Sequence, residues 1–289
     1  MTTLLLLDTQ DLGTLQITGA DRLTWLNGLV TCEVKTLKPG QGSYGLALSK
    51  VGKILADIRI VVEAERILLG VGLDVIQSLR EAMDRYLIME DCELSDVSSA
   101  WSWLELHGES AAAVANAAAE KLGGVSTSID RSGLGGAVLV VAKEKHSQAL
   151  TEIESATGKK PAAADEWTAF RVKHKVPERG HDFDDKTYPQ EASLEQKAVS
   201  FSKGCYLGQE VVCMLQMRGK TQRKVVGIAA SAGGELKVGA QVLDERGEQV
   251  GSVTTVSNDD GTWRGLAMVK TTALTGGALS VNGLSVSLV

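Results

Sequence analysis

No stretch of this sequence approaches the ~20 consecutive apolar residues that a bilayer-spanning helix needs, so a helical membrane protein is not expected. Cysteine is scarce: Cys32, Cys92, Cys205 and Cys213 stand alone, and no two have C-x-x-C spacing. That pattern argues against zinc fingers and a disulfide framework and for reduced thiols. The opening residues, Leu4 to Leu7 included, have no basic segment and too short an apolar run for a signal peptide, so the cytoplasm is the expected compartment. Positive charge is also lacking overall. A net charge of −6 is unsuited to a surface devoted to nucleic acid or anionic lipid, so neither is an expected direct partner. No solenoid-type repeat is visible.

What is present is the composition of a globular protein, 44% hydrophobic and 23% charged, over 289 residues, enough for two ordinary domains. Residues 12–18 alternate as a strand, and Asp21 is placed to cap a helix carrying Leu23, Leu26, Leu29 and Val30. Tyr44 to Leu69 reads as a meander, with hairpin turns at Lys50–Lys53 and Glu63–Arg66. Asp74 is placed to cap an amphipathic helix bearing Val75, Ile76, Leu79, Met83 and Leu87. A strand at 102–106, an alanine-rich helix at 110–122 stopped by Gly123-Gly124, a strand at 138–141 and a helix at 146–156 follow. From about Arg223 the helical period vanishes, and short β-rich pieces alternate with glycine turns, as in a small barrel or sandwich. The pattern predicts an α+β fold, with one region over 1–221 and a β domain over 222–289.

Three motifs reduce to simpler readings. Gly40-Gln-Gly-Ser-Tyr-Gly45 has the letters of a dinucleotide fingerprint, but Pro39 precedes it and a strand follows, so it reads as a turn. Arg131-Ser-Gly-Leu-Gly-Gly136 could cradle an anion, but it runs into a strand and reads as a hairpin turn. His174, His181, Asp182, Asp184 and Asp185 read as a solvated acidic loop, and no metal is expected.

The segment 199–224 is different. From Lys203 onward Lys203, Arg218, Lys220, Arg223 and Lys224 face Glu210 alone, a basic patch in an acidic protein. Glycines bracket Cys205 and Tyr206; Lys203 would favour a thiolate at Cys205, and Tyr206 offers a flat face to a planar ligand.

Lys203-Gly-Cys-Tyr-Leu-Gly-Gln-Glu210 resembles the K-G-C-[FY]-x-G-Q-E signature of the YgfZ-type folate-binding proteins, relatives of the glycine-cleavage T-protein. Pro189–Leu194, Val199–Phe201, Arg218-Gly219 and Arg223-Lys224 resemble the family's flanks, and Ile17–Asp21, Leu26–Gly28, Leu37–Gln41 and Gly52–Asp57 its opening pattern. Val225 through Thr254 resembles its terminal barrel. The resemblance implies a three-lobed ring of two α+β lobes and a C-terminal β-barrel. It further implies tetrahydrofolate as ligand and support of iron–sulfur client enzymes, tRNA-modifying ones among them. It assigns Cys205 and Asp57 to the chemistry, and Asp57, Lys203, Tyr206, Gln209, Glu210 and Arg218 to the ligand, with Asp57, Lys203, Cys205 and Tyr206 facing one shared cavity. An aminomethyltransferase and a folate-free scaffold of the same fold are the alternatives. One departure stands out: the family's R-I-E-A-G-x-P is Arg171-Val-Lys-His-Lys-Val-Pro177 here, with Lys173 at the glutamate position. A lysine accepts no hydrogen bond from a pterin's donor edge. The carboxylate that often precedes Asp57 in T-proteins is Ala56.

Overall fold

A computed structural model describes residues 4–219, 221–231, 234–259 and 261–289. These fall into two compact units that interleave along the chain. The first takes the chain up to Val51, then Leu55–Ala162 and Lys197–Gln209; the second takes Gly52–Ile54, Ala163–Gln196 and Glu210–Val289.

The first unit carries β1 (Leu5–Asp8), β2 (Leu12–Thr18), α1 (Arg22–Asn27), β3 (Gly42–Leu48), β4 (Ile54–Val62), β5 (Arg66–Gly72) and α2 (Ile76–Asp84). It continues with β6 (Glu93–Asp96), β7 (Trp101–His107), α3 (Ala111–Leu122), β8 (Val125–Thr127), β9 (Gly136–Ala142) and α4 (His146–Thr157). The strands form a five-stranded sheet, β3-β4-β5-β2-β6, and a four-stranded sheet, β1-β7-β9-β8. Strand alternation sorts the side chains between the faces. Ala56, Ile58, Ile60 and Val62 of β4 join a core with Leu26 of α1 and Ile76, Leu79 and Met83 of α2. On the four-stranded sheet Leu104, Leu106, Leu139 and Val141 pack against the alanines of α3 and against Ala149 and Ile153 of α4. The opposite faces of the two sheets meet, where the Trp103 indole N–H donates to the Thr14 hydroxyl at 2.9 Å and Arg59 pairs with Glu105.

One expected cap stands in position and one is corrected. Asp21 is the N-cap residue of α1, but its carboxylate accepts the Asp91 N–H and makes no capping bond; α2 begins at Ile76 behind Val75, not Asp74. The stop at Gly123 stands: its φ of 64° ends α3 in the left-handed region that glycine adopts without strain.

The second unit holds α5 (Ala164–Lys173) and a closed barrel of β10 (Arg223–Ala230), β11 (Gln241–Leu243), β12 (Gln249–Asp259), β13 (Thr262–Lys270), β14 (Leu279–Val281) and β15 (Leu284–Leu288). Here α6 is Glu195–Ala198 and α7 Gln209–Arg218; both fall where the sequence passes between the units. Ile228, Val242, Val253, Ala267, Val269 and Val281 fill the barrel. Val172 of α5 packs on Val225 and Leu266, and Arg171 reaches Asp182 at 2.5 Å and the Thr255 hydroxyl at 2.8 Å. Asp182 of the acidic loop is thus a buried strut rather than a solvated residue. Among the described residues no group of three His, Cys, Asp or Glu side chains is placed to hold a metal, and no helix is long and apolar enough to cross a membrane.

Candidate functional site

The signature loop is fixed by its ammonium group. Lys203 is 9% exposed, and its Nζ donates to the carbonyls of Asn27, Val30 and Cys32 at 2.7, 2.8 and 2.6 Å. All three of its protons are committed. The expectation that Lys203 meets a ligand or activates the Cys205 thiol is therefore corrected: it clasps the chain after α1. Desolvation by burial pushes its pKa down, with Cys32 and Glu33 opposing. Tyr206, also buried, presents its ring 5.3 Å from the same Nζ, so it packs on the clasp rather than offering an open face. The Leu207 N–H donates to the Gly28 carbonyl at 3.0 Å. Between these anchors Gly204 and Cys205 are exposed. Gln209 opens α7 and reaches the Gly204 carbonyl at 3.5 Å; Glu210 and Arg218 are exposed on α7.

Beneath the clasp lies Cys32, whose thiol is pushed up in pKa by burial, with the Ser43 hydroxyl and Lys203 opposing. A Cβ added at Gly45 would stand 2.4 Å from the Cys32 sulfur, so any larger residue at this strand position forces Cys32 to shift. Ser43 and Gly45 thus face Cys32, while Tyr44 between them faces the other way.

Asp57 lies on that other side. Its Oδ2 accepts from the Tyr44 hydroxyl at 3.0 Å and from Arg59 at 2.7 Å. No such bond falls on Oδ1 among the described residues. Arg59 and Arg131 both pair with Glu105, at 2.6 and 3.0 Å, and His107 approaches it at 3.3 Å. Two arginines and two carboxylates thus balance between the sheets, with the Tyr44 ring near both guanidinium groups. Burial raises the Asp57 pKa, but Arg59 and Arg131 outweigh it and hold the carboxyl below its ordinary value. Asp57 and Lys203 therefore occupy opposite faces of β3, which corrects the expectation of one shared cavity.

Other charges of the signature segment are taken internally. Arg223 pairs with Glu191 and Lys224 with Glu195, which neutralises part of the basic patch; Lys220 lies outside the described residues. In the 131–136 turn the N–H groups of Ser132, Gly133 and Gly135 all donate to Asp130, so the anion in that cradle is the chain's own. Lys173 is exposed at the end of α5.

The GCVT N-terminal domain family matches residues 1–127, and the CAF17 C-terminal beta-barrel domain family matches residues 222–289. A tRNA-modifying protein YgfZ of Aliivibrio fischeri is 26% identical over 217 residues, covering 71% of this chain and 64% of that protein, so the chain spans just under two thirds of its length. The protein of the same name from Yersinia enterocolitica is 24% identical over 272 residues, 90% of this chain and 82% of its own. An aminomethyltransferase of Bacillus licheniformis is 24% identical over 272 residues, 86% of this chain and 74% of its own. In fold, the glycine cleavage system aminomethyltransferase T from Bartonella henselae superposes with a TM-score of 0.83 at 18% identity, over 99% of this chain and 84% of that one. Both family matches in chain order and YgfZ relatives along most of the chain's length support a YgfZ-type, GcvT-like protein.

Proposed function

We propose that the protein supports the maintenance of iron–sulfur enzymes, tRNA-modifying ones among them, through the Cys205 thiol, with tetrahydrofolate as its ligand. One observation carries the reading: Cys205 is exposed on a loop whose neighbours Lys203 and Tyr206 are buried anchors. A core cysteine is inert, whereas a thiol held at the surface on a fixed backbone can meet a cluster or a partner's thiol. The YgfZ relatives supply the link to tRNA modification.

For tetrahydrofolate the residues fit at one point. A pterin edge asks for two hydrogen-bond acceptors. Asp57 offers Oδ1, its Oδ2 being engaged by Tyr44 and Arg59. Lys173 supplies no second acceptor. Asp57 would hold the pterin edge at one N–H and keep its carboxylate ionised there, while the bound folate would supply one-carbon carrier chemistry. The folate-free alternative draws its support from Lys173. The aminomethyltransferase alternative gains nothing from residue 56, because Ala56 is fully buried in the sheet core where a carboxylate would be unpaired.

The protein should restore the activity of a tRNA-methylthiolating iron–sulfur enzyme in a bacterial strain lacking its own YgfZ-type protein; failure to restore it would contradict the proposed role. Titration with tetrahydrofolate should give saturable binding that Asp57→Asn weakens. Absence of binding would leave the folate-free scaffold.

A further inference from the structure

On the helix-covered side of the five-stranded sheet, a cavity of about 300 Å³ opens between α2, the turn joining β3 to β4, and the signature loop. Leu79 and Met83 of α2 form one wall, Leu55 the sheet side, and Leu29 with Leu207 the side of the loop. No carboxylate lines it. Its charged lining residues are Lys50 and Arg85, both exposed, and among the described residues neither has an ion-pair partner. A hydrocarbon-lined pocket carrying two unpaired cations and no anion is complementary to an amphipathic anion. At the ~30 Å³ that one water occupies in the liquid, the cavity holds about ten non-hydrogen atoms. That is the size of an eight-carbon straight-chain carboxylate.

The pocket is separate from Asp57. Ala47, which lines it, belongs to the core beneath α1 and α2, whereas Asp57 faces the other sheet. It is joined to the signature loop, because Leu207 forms part of its wall while the Leu207 N–H holds the Gly28 carbonyl, next to Leu29. We propose that this pocket binds an unbranched apolar carboxylate of about eight carbons, its headgroup between Lys50 and Arg85, and that occupancy alters access to Cys205 two residues from Leu207. The site stands whether or not the protein binds folate.

The test is calorimetric titration of the full chain with octanoate, with 1-octanol as the uncharged control and alkylation of Cys205 by iodoacetamide followed in parallel. One saturable octanoate site is expected, and 1-octanol should bind about tenfold more weakly. The double variant Lys50→Ala/Arg85→Ala should weaken octanoate by about tenfold with an unchanged melting temperature, since both residues are exposed. Ala82→Phe, which puts a ring into the cavity, should abolish binding; if that variant fails to fold, the double variant still decides. The alkylation rate should change with the same midpoint as the heat. No saturable binding, equal affinity for 1-octanol, undiminished binding in the double variant, or displacement of octanoate by tetrahydrofolate would overturn the site. An alkylation rate unmoved at saturation would overturn the coupling to Cys205.

Discussion

Two buried charge centres of the first unit meet the penalty of burial in opposite ways. Between the sheets Arg59 and Arg131 face Asp57 and Glu105, so each charge is compensated by opposite charge. At the signature loop Lys203 has three neutral carbonyls instead. The two partnerships leave different marks. Burial alone would raise the Glu105 pKa, but the arginines hold it well below its ordinary value of 4.5, whereas desolvation pulls Lys203 down. Paired ions fasten one sheet to the other. A lone ammonium among carbonyls fixes the backbone path of a single loop, and that loop presents Cys205.

The comparison is most exposed at Glu105. Glu105→Ala leaves two buried arginines without their shared partner, and unfolding by urea should show a loss of about 3–5 kcal/mol. The pH dependence follows. The folded pKa lies below the unfolded one, so the stabilising contribution is complete above the unfolded value and is lost as pH falls below about 4.5 towards the folded value. Urea midpoints measured from pH 7 downward should drop on this acid limb, and Glu105→Gln should flatten it. Lys203→Met removes the clasp and should cost about 2–3 kcal/mol, less than Glu105→Ala because no opposite charge is stranded. It should also speed alkylation of Cys205 as the loop loosens. A larger loss for Lys203→Met than for Glu105→Ala would reverse the comparison. Gly45→Ala drives a methyl to 2.4 Å from the Cys32 sulfur and should cost about 1–3 kcal/mol by overpacking, read from the melting temperature.

The sheets, the alanine-rich helix and most barrel strands are written in local periods, and their bounds in the structure differ from the sequence reading by up to three residues, as at the ends of β5 and β12; the last barrel strand, β15, has no counterpart in that reading. Short edge pieces are not: β1, β6 and β8 have three or four residues each, too few for an alternation to register. Helix α5 was missed as well, since its apolar residues follow no amphipathic stripe and Arg171 points inward to Asp182. In the site, the motif located the loop and the exposed thiol. It did not reveal where the Lys203 protons go, because the acceptors lie about 170 residues earlier in the chain. Glu105, Arg59 and Arg131 form their cluster only when two sheets meet, and nothing near any of them in sequence signals that. An Arg131 followed by three glycines within five residues looks like a turn, which it is, and its buried pairing is a tertiary fact.

The smallest expected effect on stability carries the central claim. Cys205→Ser, at an exposed loop position, should change stability by no more than about 0.5 kcal/mol. A serine hydroxyl provides neither the polarisability nor the thiolate that an iron–sulfur or thiol-exchange role requires at neutral pH. The direct measurement is complementation of a strain lacking its YgfZ-type protein, scored by the activity of a tRNA-methylthiolating iron–sulfur enzyme, with the melting temperature of the purified variant alongside. Loss of complementation at an unchanged melting temperature is the predicted result. Full complementation by Cys205→Ser, or a loss accompanied by a large fall in melting temperature, would contradict a functional thiol at Cys205.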